Sequence, residues 1–279
     1  MTKISYRLLN VFAETAFGGN PLAVIEDASA LTDREMLLIA RQFNLSETTF
    51  ILPSNIAAAQ IRIFTTTYEM DFAGHPTLGS AQVIRELFHL GDAFKIEMKA
   101  GLIPVSAIEN RWTLFANTPR YRPMLASRPE LAAMLNLPEV AIAGDPLWVD
   151  CGTEQLMIPL ASAEFIHACR PDLRLIAKYS KNLSGQAKTY VFAKTLGGFE
   201  SRYFSMADEN SINEDPGTGS ACANLGAWWL STEGDKPLIA KINQGTFIQR
   251  PNVLSLHVAN GEIQVGGRVI EVGRGELHW

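Results

Sequence analysis

Residues 62–81 read RIFTTTYEMDFAGHPTLGSA, and residues 202–221 read RYFSMADENSINEDPGTGSA, 140 positions further along a chain of 279. Aligned without a gap, Arg62 and Phe64 fall on Arg202 and Phe204, Pro76 on Pro216, and Gly79-Ser80-Ala81 on Gly219-Ser220-Ala221. Upstream, LIARQFNLSETTFIL from Leu38 lies over LIAKYSKNLSGQAKTYVF from Leu175 once short gaps are allowed. The two stretches share Leu-Ile-Ala, Asn-Leu-Ser and a Thr-aromatic-aliphatic strand, Thr49-Phe50-Ile51 over Thr189-Tyr190-Val191. Several matches in one order at a near-constant offset predict an internal duplication, with two homologous halves.

The halves are expected at residues 1–118 and 119–279. The second includes a proline-rich linker, 119–146, which holds five of the fourteen prolines. Such a stretch disfavours long helix or continuous strand, although a short helix near 130–137 fits inside it. The strand near 269–279 is a candidate to join the first half.

Composition limits what this chain can be. Apolar residues make up 47% and charged residues 19%, the balance of a globular chain and not of a disordered one. Lys+Arg number 24 and Asp+Glu 29, a formal net charge of −5, and no basic run is present. Nucleic acid and anionic membrane are therefore disfavoured as partners. No stretch approaches eighteen unbroken apolar residues and no signal-peptide core opens the chain, so a soluble, cytoplasmic protein is expected. Cys151, Cys169 and Cys222 are widely spaced without C-x-x-C, which points to neither a disulfide framework nor structural zinc.

Strands are predicted at 4–12, 22–25, 49–52, 61–65, 95–99, 102–108 and 111–116. Thr32-Asp-Arg-Glu35 has the form of a capping box opening a helix with Met36, Ile39, Ala40 and Phe43 on one face. A second helix starts near Pro76 and ends by Gly91. The second half repeats the order and finishes on strands joined by Asn260-Gly261, a strong hairpin signal. Its helix, SACANLGAWWL, is apolar nearly all round, as suits a helix enclosed by its own domain. The fold class is thus α+β: in each half, a β-barrel-like sheet wrapped on a central helix.

Both central helices begin at Gly/Pro turns, Ala73-Gly74-His75-Pro76-Thr77 and Asp215-Pro216-Gly217-Thr218-Gly219-Ser220. Unpaired amides and the positive end of the helix dipole make such a helix start an anion site, and glycine lets a ligand approach the backbone. Were the halves to face each other across a pseudo-twofold axis, the two helix starts would open on one cleft suited to a small carboxylate. Either turn alone reads equally as a tight turn before a buried helix. Ser220 sits in Gly-Ser-Ala, not in a G-x-S-x-G elbow, and fits a helix cap and ligand-binding residue better than a nucleophile. The five histidines show no metal-ligand spacing, and the glycines match neither a P-loop nor a dinucleotide fingerprint, so no metal or cofactor is expected. His75, Asp215, Glu214 and Glu47 are able to move or orient protons. Each also has a bland reading, as a structural histidine or a solvent-facing carboxylate. Tyr68, Trp148 and Tyr203 are candidates for pocket walls, although such aromatics are more often core.

Four blocks in this order, GGNPLAV (18–24), SETTF (46–50), FAGHPTLGSA (72–81) and EDPGTGSA (214–221), resemble the PhzF-like phenazine-biosynthesis family over nearly the whole chain. The resemblance implies the diaminopimelate epimerase-like fold, a homodimer, and a cofactor-free isomerase that relocates a proton on a dihydro-hydroxyanthranilate-like ring. Carried over residue by residue, Glu47 resembles the general acid/base, and His75 and Asp215 its polar companions. Gly74, Gly219 and Ser220 resemble the groups that hold the substrate carboxylate, and Asn20 a lining residue of the same cleft. The resemblance leaves two further readings, a one-base epimerase or racemase and a non-catalytic carboxylate-binding protein. Two-cysteine racemases of this fold need a thiol just before each glycine of these loops. The corresponding places here hold Ala73 and Pro216, while Cys222 lies inside the helix and reads as core.

Overall fold

A computed structural model describes residues 3–279; Met1 and Thr2, assigned above to the first half, lie outside the described residues. The chain divides into two compact units. One comprises the residues up to Phe115 together with Gly266–Trp279, and the other Ala116–Val265.

The first unit contains β1 (Lys3–Val11), β2 (Asn20–Ile25), α1 (Asp33–Phe43), β3 (Thr48–Leu52), β4 (Ala59–Phe64), β5 (Glu69–Met70), α2 (Gly74–Leu87), β6 (Ala93–Met98), β7 (Gly101–Ile108) and β8 (Arg111–Phe115). The second contains β9 (Arg120–Pro123), α3 (Arg128–Met134), β10 (Leu147–Asp150), β11 (Glu154–Pro159), α4 (Ala163–Ala168), α5 (Leu173–Tyr179), β12 (Lys188–Thr195), β13 (Gly198–Asp208), β14 (Ser211–Asp215), α6 (Gly219–Glu233), β15 (Leu238–Gln244) and β16 (Asn252–Ala259). The last strand, β17 (Glu262–His278), begins in the second unit and passes at Gly266 into the first.

In the first unit β1 pairs antiparallel with β2, β2 parallel with β3, β3 antiparallel with β4, and β4 parallel with β6. Then β6 pairs antiparallel with β7, and β7 with β8. The late part of β17 lies between β8 and β1 and closes the ring at eight strands. The second unit repeats the succession: β10 antiparallel to β11, β11 parallel to β12, β12 antiparallel to β13, β13 parallel to β15, and β15 antiparallel to β16. β9 flanks β10 as late β17 flanks β1, and Ala116 N–H donates to Ile263 C=O at 2.9 Å on the closing side. The turn from β16 into β17 is Asn260-Gly261 with φ of 54° and 77°, the paired positive values that a two-residue hairpin of this hand requires.

Each barrel holds one helix. α2 touches β1, β2, β3, β4 and β8, and its residues from His75 to Ile84 are buried; α6 touches β10, β11 and β16. Both helices press against the wall at a glycine: a Cβ on Gly79 would stand 2.5 Å from Leu22 Cδ2, and one on Gly226 2.7 Å from Ile263 Cγ2. The remaining helices cover outer faces. α1 carries the predicted capping box, with Glu35 N–H donating to Thr32 Oγ1 and Thr32 N–H to Glu35 Oε2, and it packs Met36, Ile39 and Ala40 on Phe50 and Phe64. In the second unit α3, α4 and α5 lie on Val191, Ala193 and Phe204.

Three points become definite. The proline-rich 119–146 is not a bare linker. It supplies β9 and α3, because Pro123 closes the strand and Pro129 sits in the first turn of α3, where its missing N–H costs nothing. Trp148 is core, with Arg122 stacked 4.2 Å from its ring centroid, while Tyr203 is buried and Tyr68 exposed.

The third point concerns the repeat, where the expected alignment changes. Arg62 forks onto Glu69 and lies over Phe64; Arg202 forks onto Glu214 and lies over Phe204. These are the same devices, but Glu69 and Glu214 are 145 positions apart, as are Gly74 and Gly219, the first residues of the two central helices. The β13–β14 hairpin absorbs five extra residues. The ungapped match of Gly79-Ser80 with Gly219-Ser220 is therefore out of structural register, and the counterpart of Ser220 is His75. Strand register shifts the other match by one. Thr48 pairs with Phe64 as Thr189 pairs with Phe204, so Thr189 corresponds to Thr48 and not to Thr49.

Candidate active site

Glu47 is placed by the end of α1 and the start of β3. Asn44 stops the helix in the left-handed conformation, φ 53°, and three residues later the chain approaches the strand, with Glu47 just outside it. On β3, Thr48 and Phe50 face α1, so the two-residue period turns Thr49 and Glu47 toward α2. Ser80 Oγ, within α2, indeed donates to Thr49 Oγ1 at 2.8 Å. At the start of α2, Ala73 is the N-cap and offers no side-chain cap, while Thr77 Oγ1 donates back to Ala73 C=O at 2.7 Å. His75 occupies that first turn, 7% exposed, and its Nε2 stands 3.5 Å from Glu47 Oε2.

The electrostatics of this pair follow from its burial. Glu47 Oε2 is sealed from solvent and accepts no hydrogen bond. Burial pushes the Glu47 carboxyl above the usual carboxylate range, and a hydrogen bond from Ser46 opposes that only in part. A carboxyl held toward its protonated form beside an imidazole is equipped to deliver and recover a proton. Gly74 opens α2 directly beside His75, and Asn20, the first residue of β2, is 2% exposed. The first unit thus brings together Glu47, His75 and Gly74.

In the second unit Asp215 ends β14, and the chain turns through Pro216 and Gly217 to Thr218, the N-cap of α6. Thr218 Oγ1 donates to Asp215 Oδ2, and Gln244 Nε2 braces the turn on Asp215 C=O at 2.8 Å and Thr218 Oγ1 at 2.9 Å. Ser220 is not the cap; it lies inside the helix, and its hydroxyl accepts from Gln155 Nε2 at 2.9 Å. Gln155 is in turn held by Asn224 Nδ2 at 2.8 Å, and Asn224 Oδ1 accepts from the Cys151 amide. Cys222 is fully buried, with its thiol raised by desolvation, and Cys169 is likewise pushed up to about 12. Both fit the inert thiols of a core.

Sequence reading missed Gln155, Thr218, Asn224 and Gln244. Asn224 and Gln155 were detectable in principle, as lone amides in the apolar runs SACANLGAWW and EQLMIP. Gln244 has no such signal, because only tertiary structure brings β15 beside the turn before α6.

The family profile of phenazine biosynthesis-like proteins, PhzC-PhzF, matches residues 9–275. The chain belongs to the PhzF family. It is 41% identical to an uncharacterized isomerase of Pasteurella multocida over 99% of this chain and 95% of that one. It is 30% identical to the trans-2,3-dihydro-3-hydroxyanthranilate isomerase of Pseudomonas chlororaphis over 98% of each. The crystal structure of a PhzF-family protein from Bacillus anthracis superposes with a TM-score of 0.89 at 25% identity, covering 100% of both chains. The fold of this PhzF-family chain is α+β, diaminopimelate epimerase-like, and the chain is an isomerase. Among the described residues no helix is long and apolar enough to cross a membrane.

Proposed function

We propose that this isomerase relocates a proton, with the attendant shift of a double bond, on a small unsaturated carboxylate of the dihydro-hydroxyanthranilate type, and does so without a cofactor. Glu47 is the acid/base. In its ionised form it takes a proton from one ring carbon, the electron pair moves into a new C=C bond, and the old double bond accepts a proton at its far carbon from the Glu47 carboxyl, which exchanges with solvent between the two transfers. Substrate and product are isomers, so no oxidant or reductant enters the balance.

One observation carries this reading: a carboxyl whose Oε2 is buried without a hydrogen bond and lies 3.5 Å from His75 Nε2. Such a group is costly to leave in a fold for structure alone. His75 orients that carboxyl and the substrate. Carboxylate binding we assign to the backbone at Gly74, at the uncapped start of α2, and to Gly219 and Ser220 at the uncapped start of α6. Asp215, held by Thr218, orients a polar substituent of the ring, and Asn20 is a further lining residue. The chain is further proposed to act in the cytoplasm as a homodimer.

The test is exchange of substrate C–H hydrogen with deuterated water, followed by mass spectrometry on metal-stripped protein. Wild type is expected to incorporate one deuteron per turnover. Glu47→Gln should lose about 10²–10⁴ in rate while retaining carboxylate binding. Full activity in Glu47→Gln would remove Glu47 from the chemistry, and inversion of a stereocentre without double-bond migration would make the enzyme an epimerase.

A further inference from the structure

Strand register gives Glu47 a counterpart that the repeat in the sequence conceals. Glu47 precedes Thr48, Lys188 precedes Thr189, and the two threonines hold the same place opposite Phe64 and Phe204. Where the first unit leads into its third barrel strand with an acid, the second does so with a base.

Lys188 lines a cavity of about 470 Å³ that belongs wholly to the second unit, within the size range of small-ligand sites. Its other charged lining groups are Arg120, Arg122, Asp150 and Glu154. Four of these five charges are matched within the wall. Arg122 forks onto Glu154 at 2.8 and 3.1 Å, and Arg120 reaches Asp150 at 2.8 Å. The Lys188 ammonium is left over: among the described residues it makes no hydrogen bond and no ion pair, and burial alone lowers its pKa. The wall therefore carries one positive charge in excess, on a half-buried point charge. Arg120, 81% exposed, is free to swing toward a second negative oxygen.

We infer that this cavity is a binding site for a compact oxyanion, a carboxylate or a phosphate, held by Lys188 with Arg120 at its mouth. A buried charge without a partner is expensive, and an anion that enters recovers that cost as affinity. The inference stands apart from the acid/base role of Glu47, since it uses no residue assigned there.

The test uses the full chain and two probes, inorganic phosphate and 2-aminobenzoate, in isothermal titration calorimetry at low ionic strength. Lys188→Met should bind the probes at least tenfold more weakly than wild type, Lys188→Arg within about threefold, and Arg120→Gln at an intermediate level. Melting without anion provides the folding control: Lys188→Met should melt no lower than wild type, because it removes an unpaired charge. Independently of any variant, ¹³C-methylated lysines of the wild-type protein should show the Lys188 resonance shifting on addition of the probe. Competition between the two probes would mean that a substrate-like carboxylate is the natural occupant; simultaneous binding would mean a separate inorganic anion. Equal probe affinity in wild type and Lys188→Met, or a Lys188 resonance that does not move, overturns the inference.

Discussion

At Glu47, folding and chemistry pull against each other. Burial raises the carboxyl in the folded chain above its unfolded value, so the folded state favours the protonated form. The contribution of this group to stability is whole below the unfolded pKa, near 4, and is lost as pH rises through the raised folded value. Glu47→Gln, which mimics the protonated acid, should therefore melt above wild type at pH 8 and level with it at pH 4. Equal melting temperatures at both pH values would show that the carboxyl is not desolvated. A residue retained against stability fits a catalytic group.

The paired arginines offer a second residue-scale comparison. Arg202 and Glu214 are 8% and 12% exposed, whereas Arg62 and Glu69 are both 23% exposed. Arg202 also donates to Cys169 C=O at 2.7 Å, tying the end of α4 to β13. Arg202→Ala leaves Glu214 buried and uncompensated and should cost about 3–5 kcal/mol by urea denaturation. Arg62→Ala should cost less, about 1–3 kcal/mol, because water reaches its site. The reverse order would show that solvent exposure does not set the worth of these forks.

Among the elements, α1 places Glu47, because the helix ends three residues before it. Its capping box was fully legible from Thr32 and Glu35, since capping is local chemistry. Thr32→Ala should lower stability by about 1 kcal/mol, seen as a fall in Tm of about 2–4 °C. The central helices were legible by different means, the Gly/Pro turns that open them and the all-round apolar face of α6. What the elements concealed was register. An ungapped match paired Gly79 with Gly219, whereas the helix starts are Gly74 and Gly219, because an exposed hairpin tip tolerates five extra residues at little cost. A match of Thr49 with Thr189 slipped by one, and in a strand one residue exchanges the two faces. That slip hid the correspondence of Glu47 with Lys188.

For the molecule as a whole, β17 matters more than any other strand, since each barrel uses part of it. Deleting residues 266–279 removes the strand between β8 and β1 and opens the first barrel. Hydrogen–deuterium exchange should then show β1 and β8 unprotected while β10 to β13 remain protected. Uniform loss of protection in both units would mean that they fold only as one cooperative body.

The duplication, the α+β class, the family, and Glu47 and His75 as candidates for chemistry all lay in the sequence, because repeats, periodicity and turn residues are written in chain order. Burial of the Glu47 carboxyl, its approach to His75, the bracing of Asp215 by Thr218 and Gln244, and the solitary charge of Lys188 came only with tertiary structure. Each of these depends on which groups desolvate one another. Desolvation is a property of neighbours in space, and chain order does not encode those neighbours one residue at a time.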